Sequence, residues 1–260
     1  MLKEIILLTG LEQQQQVLSL LLREHNPQLT FRFALTADDL EAIDPQSLAH
    51  ARLIAFTTGV IVPPRILNAL GHGAYNFHPG PPDYPGWAPA HFALYEHATT
   101  FGATAHLMTE RVDSGAIIGT ETFIIPDNIA VRELEQIAFV RLAYLFWRLA
   151  KELANRAEPM PVLPIAWSGR KSTRQMYLSA CDIPADISQA DLELRVRAFQ
   201  DDFRGINPTI TLHGFQFQLV PATKTATAPT TASQDRNRDQ PPAPLALSTD
   251  APSIAVASVM

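Results

Sequence analysis

The 260-residue chain is 47% hydrophobic with a net charge of −6, enough apolar matter for a sizeable core and too acidic a balance for a surface that tracks nucleic-acid phosphates. Its single cysteine, Cys181, excludes an intrachain disulfide and a cysteine-built metal site, and fits a reduced cytoplasmic setting. No apolar run reaches the ~18 residues of a membrane span: the stretch 137–149 is broken by Arg141 and Arg148, and the N-terminus lacks a signal peptide's layout.

Lys3 to Thr9 reads as a buried strand ended by Gly10, and Leu11 to His25 as an amphipathic helix. Thr30 to Leu35 and Arg52 to Thr57 read as further strands, and Pro63-Pro64 opens a short helix through Leu70. Ala74 to His78 is a fourth strand, running into the loop Gly80-Pro81-Pro82-Asp83-Tyr84-Pro85-Gly86. Trp87 to His97 reads as a helix, Gly102 to Met108 and Ile117 to Ile125 as strands, and Ile129 to Ala154 as a long helix. Strands alternating with helices predict an α/β domain with a mainly parallel sheet over residues 1–154, whose ligand site lies beyond the strands' carboxyl ends. Residues 155–168, with Pro159, Pro161 and Pro164, read as a linker. A small α+β unit over 169–220 follows, with a helix at Asp191 to Gln200 and a hairpin of Thr209 to Leu212 and Phe215 to Val220 around His213-Gly214. Residues 221–260, dominated by Ala, Thr, Pro and Ser, read as a disordered tail. The tail's charges cancel, so the acidity belongs to residues 1–220.

Two motifs carry chemistry. Asn76-Phe77-His78-Pro79 closes the fourth strand, and Val112-Asp113-Ser114-Gly115 follows 35 residues after the histidine. Pro79 pushes His78 toward extended backbone, and Gly115 permits a tight turn after Asp113. An amide that donates to an oxyanion, an imidazole that moves a proton and a carboxylate that orients it are the parts for acyl transfer to an amine. Singly, each residue is an ordinary cap or turn former. His72, His91, His97 and His106 lack metal-ligand spacing, and no metal is expected. Tyr84 and Trp87 suit either stacking on a substrate or packing on the adjacent helix.

The combination resembles the folate-dependent formyltransferases, which share an Asn-x-His-Pro strand end and a later Asp-x-Gly. Phe56-Thr57-Thr58-Gly59-Val60-Ile61-Val62-Pro63 is similar to the family's folate-lining strand and turn, Gly102-Ala103-Thr104-Ala105 to its Gly-x-Thr strand, and Arg197-Ala198-Phe199 to the helix opening its C-terminal unit. The likeness implies a Rossmann-like catalytic domain that moves a formyl group from 10-formyltetrahydrofolate to a primary amine. Asn76 and a protonated His78 would hold the oxyanion, and Asp113 would orient His78 and raise its pKa. Ile61, Val62 and Leu67 would bind the donor together with Glu110, Arg111 and Val112. Where relatives carry Ser-Leu-Leu-Pro, this chain has Gly80-Pro81-Pro82, which puts the acceptor's position in question. A small-molecule amine, such as a nucleotide-linked amino sugar, is the expected acceptor. Charged tRNA is the alternative, disfavoured by the acidic body and the short C-terminal unit. Hydrolysis of the donor and a non-catalytic folate-binding module are further alternatives. Hydrolases of the family usually carry an N-terminal regulatory domain, whereas this chain begins at its first strand.

Overall fold

A computed structural model of the protein describes residues 1–200 and 204–219; the expected tail, residues 221–260, lies outside the described residues. Strand β1 (Glu4–Thr9) leads into α1 (Glu12–His25), β2 (Thr30–Ala34) and α2 (Ala37–Glu41). A 3-10 turn (Pro45–His50) precedes β3 (Ala51–Phe56), α3 (Pro64–Leu67) and β4 (Ala74–His78). Then come α4 (Pro89–Tyr95), β5 (Thr100–Leu107), β6 (Ile117–Ile124) and α5 (Val131–Asn155). The six strands lie in the order β2-β1-β3-β4-β5-β6. The β1–β2, β1–β3 and β3–β4 pairs are parallel, whereas β4–β5 and β5–β6 are antiparallel. The sheet is α/β, mainly parallel and Rossmann-like.

Period two in the strands sorts their side chains onto two buried faces. Ile5, Leu7, Ile54, Phe56, Tyr75 and Phe77 join Leu18 and Leu22 of α1 and Leu142, Leu145 and Phe146 of α5 in one core. The alternate residues Ile6, Leu8, Leu53, Ala55 and Ala74 pack under Leu40, Leu48 and Ile66 in the second layer. On β4 this alternation has a chemical consequence. Tyr75 and Phe77 point into the first core, so Asn76 and His78 share the opposite face, at the strand's carboxyl end. No helix among the described residues is long and apolar enough to cross a membrane.

Local signals set the element ends. α1 stops at Asn26, held extended ahead of Pro27. Thr36 and Asp39 close a capping box on α2. Glu133 accepts from the Ala130 N–H at the start of α5. Beyond α5 lie α6 (Arg174–Cys181), β7 (Asp182–Ile183), α7 (Gln189–Phe199), β8 (Thr209–Leu212) and β9 (Phe215–Gln218), the last three strands forming a small sheet. Phe199 of α7 and Tyr177 of α6 pack with Phe92 of α4 in one apolar cluster. The sequence pattern did not reveal α2, the 3-10 turn, α6 or β7: each has eight residues or fewer, too short to display an apolar period.

Candidate active site

Asn76 and His78 reach the site from β4, and register brings two further groups beside them. In the antiparallel β4–β5 pair, Asn76 lies opposite His106 and His78 opposite Thr104. Directly paired residues share a face, so Thr104 and His106 stand beside the β4 residues while Ala103 and Ala105 fill the core behind. Thr104 donates to the Gly80 carbonyl at 2.8 Å and pins the start of the following loop.

Asp113 arrives from the β5–β6 connection. The turn is made at Asp113 itself, whose φ is +46°, which corrects the expectation that Gly115 supplies it. Gly115 is needed for a close approach instead: a Cβ there would lie 1.8 Å from the Leu107 carbonyl oxygen. The Asp113 carboxylate receives four neighbours. Gly86 N–H donates to Oδ2 at 2.8 Å, His78 Nδ1 lies 3.6 Å from Oδ2, His106 Nε2 lies 3.2 Å from Oδ1, and Asn76 Nδ2 lies 3.5 Å from Oδ1. The three expected catalytic residues therefore converge, joined by His106, which had looked like one more unclustered histidine. Its signal was present in the alternation of Gly102 to His106, but only strand pairing turns that alternation into proximity to Asn76.

These groups are largely buried. His78, His106 and Asp113 are 5%, 2% and 6% exposed, and only Asn76 is half-buried. Burial lowers the His78 pKa, outweighing the nearby Asp113 carboxylate, which pulls the other way. Asp113 thus acts in the expected direction, but burial outweighs it, and the net downward shift favours a neutral ring over the expected protonated one. Burial raises the Asp113 pKa, but His78, His106 and the Gly86 N–H overcome it and hold the carboxyl at about 2. The ring nitrogens of His78 face two acceptors, Asp113 from Nδ1 and the Tyr84 carbonyl from Nε2 at 3.1 Å. One proton serves one of these contacts; a second serves both. The pocket thus disfavours charge at rest while offering the partners an imidazolium needs.

The 80–86 loop holds this arrangement at both ends, through the Tyr84 carbonyl on His78 and the Gly86 N–H on Asp113. A Cβ on Gly80 would lie 2.6 Å from His78 Nε2 and 2.8 Å from Pro89 Cβ, so a side chain there would displace the ring. The stretch expected as a linker crosses the same loop. Ser168 N–H donates to the Pro82 carbonyl at 3.0 Å, and Trp167 lies beside His78 and His106. Tyr84 and Trp87 pack on the protein, against Phe101 and Tyr177. A cleft of about 440 Å³ opens between α4 and residues 168–176, lined by Tyr84, Glu96, Arg170 and Lys171 among others and by none of the Asp113 group.

Of the expected donor-binding residues, Ile61 and Val62 follow β3, Leu67 closes α3, and Glu110, Arg111 and Val112 lie in the β5–β6 connection. Val62 and Leu67 share an apolar cluster with Met108, which begins the 108–112 loop. Ile61 is 63% exposed, and Val112, Glu110 and Arg111 are also exposed.

The profile of the formyl transferase family matches residues 4–139, more than half of the chain and all six strands of the main sheet. The chain belongs to the formyl transferase family. Among curated members it is 26% identical over 185 residues to a methionyl-tRNA formyltransferase of Heliobacterium modesticaldum, a match covering 68% of this chain. It spans 55% of that relative's length. Its fold is similar to that of a sugar N-formyltransferase from Shewanella, with a TM-score of 0.70 at 17% identity over 84% of this chain and 96% of that one. The N-formyltransferase of Helicobacter canadensis, solved with folinic acid and dTDP-3-aminofucose, matches with a TM-score of 0.56 at 16% identity over 82% of this chain and 85% of that one.

Proposed function

We propose that this family member transfers the formyl group of 10-formyltetrahydrofolate to a primary amine on a small molecule, with Asn76, His78 and Asp113 as the working residues. The observation that carries the reading is the meeting of those three side chains at the carboxyl end of β4, where an α/β sheet presents its ligands. The amine attacks the formyl carbon and the carbonyl oxygen takes up negative charge. The half-buried Asn76 amide donates to that oxygen; a lost donor of this kind costs about 3–4 kcal/mol of barrier. Neutral His78 takes the proton that the attacking nitrogen sheds. The resulting imidazolium is held between Asp113 and the Tyr84 carbonyl, and returns the proton to the departing folate nitrogen as the carbon–nitrogen bond breaks. His106 and the Gly86 N–H keep Asp113 ionised and oriented as positioning groups.

The donor's ring is assigned to the edge formed by the Ile61-Val62 backbone, Leu67 and residues Glu110 to Val112. The exposed Ile61 and Val112 side chains fit an apolar cover supplied by a ligand. A nucleotide-linked amino sugar is the acceptor we favour, because the net charge of −6 opposes docking a polyanion. The folinic acid and aminosugar nucleotide bound in the Helicobacter canadensis enzyme support this pairing of donor and acceptor classes. Charged initiator tRNA is the second reading, favoured by the name of the Heliobacterium relative. Purified protein with 10-formyltetrahydrofolate, offered nucleotide-linked amino sugars in one arm and charged initiator tRNA in the other, tests both. N-formyl sugar product supports the first, formylated tRNA replaces it with the second, and no formyl amine in either arm removes the acceptor assignment.

A further inference from the structure

Trp167 comes from outside the six-stranded sheet, yet its indole ring lies against the site. Its centroid is 5.0 Å from the His106 ring at 90° and 6.0 Å from the His78 ring at 69°. Its Nε1–H donates to the Gly115 carbonyl at 2.8 Å, two residues after Asp113. The chain around it is fastened on both sides. Leu163 N–H donates to the Ile117 carbonyl at 2.8 Å, and Ser168 donates from N–H to Pro82 and from its hydroxyl to the Asp83 carbonyl at 2.9 Å. Ser172 N–H donates to the Pro85 carbonyl at 3.0 Å, and Trp87 N–H donates to the Ser172 carbonyl at 3.1 Å. Residues 163–172 thus form a strap from the Asp113 connection to the 80–87 loop, with the indole on the two histidines. The histidines are buried, and the half-buried indole lies against both rings on the partly exposed side of the strap.

A formyl donor in a site with a proton-accepting histidine is open to water as well as to an amine. Excluding water from such a site prevents that side reaction. We propose that Trp167 is the water shield of this site, covering His78 and His106 so that the formyl group passes to the amine and not to water. The inference rests on the formyl-transfer reading. The suppressed reaction is hydrolysis: a water oxygen bonds to the formyl carbon, the carbon–nitrogen bond to folate breaks, and a water proton ends on the folate nitrogen. Formate and tetrahydrofolate result, with no change of oxidation state.

The test needs no acceptor. Wild type, Trp167→Ala and Trp167→Phe are first titrated with 10-formyltetrahydrofolate for binding, then followed for tetrahydrofolate and formate without amine. Wild type should release tetrahydrofolate slowly. Trp167→Ala should release it roughly tenfold faster, equivalent to about 1.4 kcal/mol of barrier. Trp167→Phe, which keeps an aromatic cover, should return the rate toward wild type. A merely structural tryptophan predicts loss, never gain. Release from Trp167→Ala no faster than wild type, with donor still bound, overturns the shield, as does fast acceptor-free turnover by wild type. A second readout is independent of the donor. The His78 titration, followed by NMR, is set by burial, Asp113, the Tyr84 carbonyl and His106. Admitting water in Trp167→Ala should move its midpoint upward toward the ordinary histidine value. An unmoved midpoint overturns the shield, whereas a wild type that binds no donor overturns the formyl-transfer reading.

Discussion

Gly80 is bare because His78 occupies the space a side chain would need. A Cβ there meets His78 Nε2 at 2.6 Å and the Pro89 ring at 2.8 Å, and neither can retreat in a buried site. Gly80→Ser should therefore lower thermal stability by about 1–3 kcal/mol. It should also slow transfer more than it weakens donor binding, a split read from kcat against donor affinity. The same burial fixes a pH response. The His78 pKa is lowered in the folded protein, so the fold binds that proton more weakly than the unfolded chain does. The stability contributed by its neutral ring is complete above the ordinary histidine pKa and is lost as pH falls through the lowered one. Asp113, at about 2, acts in the same direction at still lower pH and stays ionised throughout the histidine range. Transfer should accordingly rise along a single acid limb with its midpoint below the usual histidine value, and lie flat at neutral pH. A midpoint above that value in the kcat/KM profile contradicts a neutral resting His78. Asn76, His78 and Asp113 were readable because each sits in a short motif with its own backbone constraint. The sense of the His78 shift was not, because it depends on how completely the folded loop removes water.

Elements explain what the motifs alone do not. Arg52, on β3, is fully buried and gives its guanidinium to three carbonyls: His72 at 3.0 Å, Leu153 at 2.6 Å and Arg156 at 2.8 Å. Two of these belong to the carboxyl end of α5 and its cap, so a buried charge stands where the helix leaves carbonyls unpaired. Arg52→Leu should cost about 3 kcal/mol in denaturant unfolding while leaving the site's chemistry unchanged. The strands of the six-stranded sheet and the two long helices, α1 and α5, were legible from apolar period, since each runs far enough to display it. Gly102 to His106 shows the limit of that reading. Alternation gives the strand, but His106 joins the site through an antiparallel register with β4 that no local pattern encodes.

At the scale of the molecule, the site is assembled from segments far apart in the chain. β4 supplies Asn76 and His78, the β5–β6 connection supplies Asp113, the 80–86 loop grips both ends, and residues 163–172 lie across it. The proline-rich stretch after α5 read as a linker because its composition is that of one. Its long-range bonds to Ile117 and Pro82 are invisible to composition. The packing of α6 and α7 on α4 through Tyr177 and Phe199 was hidden in the same way, since no local period announces a partner element. The central claim is that formyl transfer depends on Asp113 acting through His78. Turnover of 10-formyltetrahydrofolate with an amine acceptor, measured beside donor affinity in wild type and Asp113→Ala, tests it most directly. The account predicts unchanged donor affinity and a loss of about 10²–10⁴ in kcat; near wild-type turnover in Asp113→Ala would contradict it.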